Sequence, residues 1–117
     1  VSMSKKVDGF VFPTDNVVVA VMAVVLRTTV PAHQVTVSGD MGSLAAGCTA
    51  AMTVDYYTLG LQAAQLGADI LEGRRTAAET PIGVQDVKNP TLNVKAMKRL
   101  GLEIPEDLKA GALLWQK

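Results

Sequence analysis

Residues 9–38 read GFVFPTDNVVVAVMAVVLRTTVPAHQVTVS, and the reading of their middle decides the fold. Gly9–Phe12 is a short apolar run closed by Pro13, the pattern of a buried strand. Thr14, Asp15 and Asn16 follow, all residue types that cap helix N-termini by accepting from free amides. The run from Val17 to Leu26 is rich in β-branched valine, which favours a strand. Its length, the preceding cap residues and the stop at Thr28–Pro31 favour a helix, and the helix reading is adopted. Gln34–Ser38 then alternates as a strand does. Strand, helix, strand in this order is a parallel α/β unit.

The same alternation continues outward. Gly39–Gly42 is a turn, and the following Ser43–Gly47 reads as one short helical turn. Thr49–Val54 reads as another short strand. From Tyr56 to Glu72 the helical period is clear, with Leu59, Ala63, Leu66 and Ile70 on one face. Gly73 stands where a left-handed residue ends a helix. Arg74–Thr80 reads as polar linker and Ile82–Val87 as a strand. Asn93–Leu100 reads as a helix stopped by Gly101. Pro105 opens a last helix over EDLKAGALLW, towards Trp115. The whole predicts an α/β fold, a parallel sheet with flanking helices.

Composition limits the functions open to such a chain. The 117 residues carry 11 basic and 11 acidic side chains, so no net charge draws them to phosphate backbones. With 4% aromatic residues there is no stacking platform for single strands, and no nucleic-acid partner is expected. The apolar run Val17–Leu26 is too short to span a bilayer, so no membrane insertion by this segment is expected. Cys48 is the single cysteine and His33 the single histidine. A lone Cys builds neither an intrachain disulfide nor a Cys-based metal site, and it reads as a small buried hydrophobe. A hydrolase built on Cys48 would need His33 beside it.

In parallel α/β sheets, ligands bind beyond the carboxyl ends of the strands. Three polar clusters fall there: Thr14-Asp15-Asn16, Gly39-Asp40 and Asp55-Tyr56-Tyr57. Each has a plain structural reading, as cap, turn or helix start. Their serial recurrence gives the binding reading its weight. Thr14, Asp15, Asn16, Asp40, Asp55 and Tyr56 are the candidate ligand-binding residues, with Asp15, Asn16 and Asp40 foremost. The three aspartates also raise the idea of a divalent-cation site, but no further oxygen-donor pattern accompanies them. Nor does a nucleophile, a usable base or a phosphate loop support acid/base chemistry. Neither a metal nor a cofactor is expected.

The stretches VDGFVFPTDN, VTVSGDMGSLAAGCTAAMTVDYYTLGLQAAQLGADILEGR and LNVKAMKRLGLEIPEDL resemble the C-terminal part of ABC-transporter substrate-binding proteins. The most similar group is the lipoprotein-like family of tryptophan- and tyrosine-type binding proteins, with the type I periplasmic-binding fold. The family's turn is usually Ser-Asp-Glu-Gly where this chain has Ser38-Gly39-Asp40-Met41-Gly42. The resemblance implies two lobes closing on a solute, and a chain that is a C-terminal piece of that plan. Residues 1–54 would be the second half of the C-terminal lobe. Residues 55–80 would be a long helix and linker packing on the other lobe, and 81–117 a hinge return strand and terminal helices. It implies capture of a small solute of the amino-acid class outside the cytoplasm, a lipoprotein anchor, and ABC permease subunits as partners. An effector-sensing domain of a transcriptional regulator with the same fold is the alternative. Self-association of the separate chain is also expected, through faces that the rest of the protein would cover.

Overall fold

The computed structural model describes residue 3, residues 5–87 and residues 89–116. They divide into two compact units, Val54–Val87 and the residues on either side of it.

The larger unit is built on a five-stranded sheet in the order β1-β2-β3-β4-β5. Strand β1 (Gly9–Phe12) pairs parallel with β2 (Val35–Ser38), which pairs parallel with β3 (Ala50–Ala51). Helix α1 (Asn16–Thr29) connects the first pair and α2 (Met41–Ala46) the second. The valine-rich run is therefore helical. The Asp15 carboxylate accepts from the amides of Val17 and Val18, and this cap starts the helix. Val18, Met22, Val25 and Leu26 then fall at helical spacing against the core. Met22, Leu26 and Cys48 form its centre, with Phe12, Val18, Val25 and Val30 packed around them. Burial of that stripe outweighs the lower helix propensity of valine, which amounts to about 0.7 kcal/mol per residue at most. His33 turns the chain after α1 at φ 54°, a left-handed conformation.

Strand β3 is shorter than the expected Thr49–Val54. Its hydrogen bonding reaches one residue further on each side, from Thr49 N–H to Thr36 O and from Met52 N–H to Ser38 O, both 2.9 Å. Beyond Met52 the chain leaves the ladder. Strand β4 (Thr91–Asn93) pairs antiparallel with β3, and β5 (Leu113–Trp115) pairs parallel with β4. The sheet is thus mostly parallel, with its first three strands as expected and the direction reversed at β4.

Two C-terminal expectations are corrected. The last helix, α5 (Glu106–Lys109), stops well short of Trp115, because Leu113–Trp115 joins the sheet as β5. Gly111 sits at that break, and a methyl there would lie 2.9 Å from Asn89 Oδ1. The expected strand over Ile82–Val87 does not form. Ile82 and Val84 are 93% and 83% exposed, and neither lies in a strand. Helix α4 (Val94–Arg99) forms as expected, one residue inside its cap Asn93, and Gly101 follows at φ 70°.

The smaller unit holds the long helix α3 (Tyr56–Leu71), with Asp55 as cap and Gly73 at φ 72° behind it. The stretch expected as polar linker begins with a cluster of charges. Arg74 Nη2 lies 2.8 Å from Asp69 Oδ1, Arg75 Nε lies 3.4 Å from Asp69 Oδ2, and Arg74 also pairs with Glu72. The hydrogen bond from Arg74, aided by one from Gln65, holds the Asp69 carboxyl below its usual range. A 3₁₀ turn at Ala77–Glu79 follows, capped by Thr76.

Candidate functional site

Because β1 and β2 are parallel neighbours, the turns that follow them lie side by side at one end of the sheet. The structure therefore brings Thr14, Asp15 and Asn16 together with Gly39 and Asp40. The Thr14 hydroxyl donates to Gly39 O at 2.9 Å, across 25 residues of sequence. Gly39 N–H donates in turn to Phe12 O at 2.9 Å, extending the β1–β2 ladder into the turns.

The two aspartates are engaged differently. Asp15 Oδ1 accepts from Val17 N–H at 2.8 Å and Val18 N–H at 3.0 Å, so the one oxygen carries both bonds. Asp15 is exposed, and so is Asn16, the first residue of α1. Asp40 is 8% exposed and uses both oxygens on one residue. Its Oδ1 accepts from Ser43 N–H at 2.6 Å and its Oδ2 from the Ser43 hydroxyl at 2.8 Å. Ser38 Oγ donates to Asp40 O at 3.0 Å and holds the turn from the other side. Asp40 is thus a buried helix cap.

Asp55 and Tyr56 belong to the smaller unit. Asp55 caps α3, accepting from Tyr57 N–H at 3.0 Å and from the Thr58 hydroxyl at 2.6 Å. The Thr58 hydroxyl holds the Asp55 carboxyl below its usual range, with the Tyr57 amide acting in the same direction. Gln85, unmarked in the sequence reading, receives the Asp55 amide on Oε1 at 2.6 Å. The Tyr56 and Tyr57 rings are exposed. Ser43 is the residue that the site adds, and Asp40-x-x-Ser43 is the spacing of a cap and its N3 partner in the first turn of α2.

Cys48 is fully buried, with its thiol 3.5 Å from Met22 Sδ, while His33 is exposed on the turn after α1. Burial pushes the Cys48 thiol up, away from the thiolate a nucleophile needs. Among the described residues no group of three or more His, Cys, Asp or Glu is placed to hold a metal ion. An open groove of about 460 Å³, lined by residues that include Val94, Met97, Leu102 and Ile104, lies over α4 and α5. Because β4 runs against β3, α4 begins at the end of the sheet opposite the β1 and β2 turns.

A mostly parallel sheet whose strand-end turns gather polar side chains has the architecture in which α/β proteins place their ligand sites. The family model described as ABC transporter substrate binding protein matches residues 1–113, and the chain belongs to that family. The family is one of binding proteins, not enzymes. A curated relative, a tyrosine-binding protein of Clostridioides difficile, is 28% identical over 102 residues. That match takes in 87% of this chain and 29% of the relative. A conserved domain protein of Vibrio cholerae O1 biovar El Tor superposes with a TM-score of 0.81 at 25% identity, over 98% of this chain and 38% of that one. An ABC domain from Streptococcus pneumonia, solved in complex with L-Trp, shares the fold with a TM-score of 0.81 at 24% identity, over 97% of this chain and 38% of that one. The chain therefore spans well under half the length of these relatives. Among the described residues no helix is long and apolar enough to cross a membrane.

Proposed function

We infer that this chain is part of the solute-binding component of an ABC importer, which takes a small solute of the amino-acid class between two lobes. The observation that carries the reading is the family match over residues 1–113, on a chain whose β1 turn holds Asp15 and Asn16, both exposed, beside the β2 turn at one sheet end. One relative is a tyrosine-binding protein and one fold neighbour holds L-Trp, which favours an aromatic amino acid over other solutes. The same family match favours transport over the effector-sensing alternative. Residues 1–54 would serve as half of one lobe, 55–80 as the helix and linker that reach the other, and 81–117 as the return through the hinge. Closure of the lobes gives a state that the permease subunits recognise, since a solute shifts the population only through its preference for the closed form. Such a protein works outside the cytoplasm, held at the membrane by a lipid anchor.

Of the six candidate residues, Asp15 and Asn16 are the direct solute contacts. Asp40 acts as the cap of α2, Thr14 as the partner of Gly39, and Asp55 as the cap of α3, with Tyr56 the first residue of that helix. Calorimetry on the full-length protein with the twenty common amino acids tests the reading. Saturable binding of one or a few of them, weakened at least tenfold by Asp15→Ala, is the expected result, in line with the loss of a charged hydrogen bond. Binding of none of them removes amino acids as the solute class.

A further inference from the structure

Gly39 and Thr14 meet more closely than any side chain at position 39 would permit. A methyl group on Gly39 would lie 2.6 Å from Thr14 Oγ1 and 2.9 Å from Thr14 N, with Pro13 C at 3.4 Å. Thr14 Oγ1 could rotate away at the loss of its bond to Gly39 O, but Thr14 N is backbone and has no flexible end that could swing aside. Gly39 is not in a left-handed conformation, and so its lack of a side chain serves this approach rather than a turn angle. The Thr14 hydroxyl donates to Gly39 O at 2.9 Å over the same gap. Gly39 N–H is held by Phe12 O on the other side. The second turn continues into the Asp40 cap, with both carboxylate oxygens on Ser43.

We propose that Thr14 and Gly39 form a clasp that fixes the spacing of the β1 and β2 turns, making both of them positioning residues for solute binding. This rests on the reading that these turns face a solute. Asp15 follows Thr14 directly, so whatever sets the position of Thr14 sets the backbone from which Asp15 and Asn16 project. The hydroxyl is engaged with a carbonyl and has no further proton to give a solute. Its part is to hold one turn against the other, and the glycine is what allows the two backbones to come within reach of that bond.

The test uses Thr14→Val, which keeps the shape and loses the hydroxyl, Thr14→Ser, which keeps the hydroxyl, and Gly39→Ala. Hydrogen exchange is followed in the full-length protein without solute, on peptides covering residues 39–43. Loss of one hydrogen bond speeds exchange there about tenfold in Thr14→Val, while Thr14→Ser stays within about twofold of the parent. Calorimetry with L-tyrosine and L-tryptophan gives the second readout, with affinity down about tenfold in Thr14→Val and restored in Thr14→Ser. Gly39→Ala, where it folds, reproduces the loss without removing any polar group. Unchanged exchange at 39–43 in Thr14→Val overturns the clasp, whatever the binding data show. Equal loss of affinity in Thr14→Val and Thr14→Ser, with exchange unchanged, makes Thr14 a solute contact instead. If the parent protein binds neither amino acid, the proposed solute class fails, and the exchange result still decides the clasp.

Discussion

Replacing Asp40 by alanine separates a structural carboxylate from a solute-binding one. Asp40 holds the N-terminus of α2 through Ser43 N–H at 2.6 Å and satisfies the Ser43 hydroxyl at 2.8 Å. Loss of an N-cap costs about 0.5–2 kcal/mol. Ser43 is fully buried, so its hydroxyl is then left without an acceptor, at about 1–3 kcal/mol. The two losses overlap, because both follow from one missing group, and a total of about 2–3 kcal/mol is expected. Urea denaturation measures it. At a slope of about 1–3 kcal/mol/M the midpoint falls by about 1 M or more, with the slope itself unchanged. Asp40→Asn keeps an acceptor for the amide and can donate to the Ser43 oxygen, so it loses about 1 kcal/mol or less. Asp40→Ala with Ser43→Ala loses less than the sum of the single variants by about 1 kcal/mol, since the pair shares one interaction. A loss below about 0.5 kcal/mol for Asp40→Ala, together with a tenfold loss of solute affinity, would refute the cap assignment.

Met22 is fully buried at the centre of the core, so Met22→Ala is expected to lower stability by about 2–5 kcal/mol in the same urea assay. The Cys48 thiol is expected to react with iodoacetamide at least about a hundredfold faster in urea than in the folded protein, because it reacts only when the core opens. Its raised folded value also means that the unfolded chain ionises first as pH climbs, so stability declines above the ordinary thiol range near pH 8.5, as pH-dependent denaturation would show. Asp55 titrates below the usual carboxylate range, and Thr58→Val is expected to return it upward in a carbon-detected NMR titration. The stability this carboxylate lends is present above its unfolded value near pH 3.9 and is lost as pH falls through the folded one. The separate 117-residue chain is expected to self-associate at tens of micromolar by light scattering, through the exposed edge of β1, where Val11 is 80% exposed, or the apolar side chains of α3. A monodisperse monomer would show that those surfaces need no cover.

The elements that were legible in the sequence are those whose local chemistry and burial agree. Asp15 announces α1 by residue type and then caps it, and the stripe from Val18 to Leu26 confirms the period. Gly73 and Gly101 mark helix ends by adopting the left-handed backbone that their residue type permits. The errors fall where tertiary pairing decides. Ile82 and Val84 have the composition of a strand, but a strand is defined by its ladder, and among the described residues no strand forms over 82–87. Thr91–Asn93 is too short to show any period and yet is buried at all three residues, with β3 and β5 on either side of it. Leu113–Trp115 follows a helix opened by Pro105 with no proline between them, and the sheet claims it all the same. In the site, the residue types at the strand ends were legible, and their commitments were not. Nothing in the letters distinguishes an aspartate with both oxygens occupied from one with an oxygen to spare.

That distinction sets the chemistry left for a solute. A free amino acid presents an ammonium group that needs acceptors and a carboxylate that needs donors. Asp40 is buried and each of its oxygens already accepts a bond from Ser43, so a solute has poor access to the lone pairs that remain. The Thr14 hydroxyl has given its proton to Gly39 O. Asp15 keeps Oδ2 for a new donor while Oδ1 holds α1 in place, so the same residue is anchored on one side and available on the other. An ammonium suits that oxygen, because the bond is charge-assisted. Asn16 stands beside it with a carbonyl and an amide on one exposed side chain, able to accept from the ammonium or donate to the carboxylate. The helix amides that Asp15 caps also fix its orientation before any solute arrives, which reduces the entropy lost on binding. A cap is therefore a sound place from which to bind a zwitterion, provided that one oxygen remains uncommitted. Among the foremost aspartates at these two turns, Asp15 meets that condition and Asp40 does not.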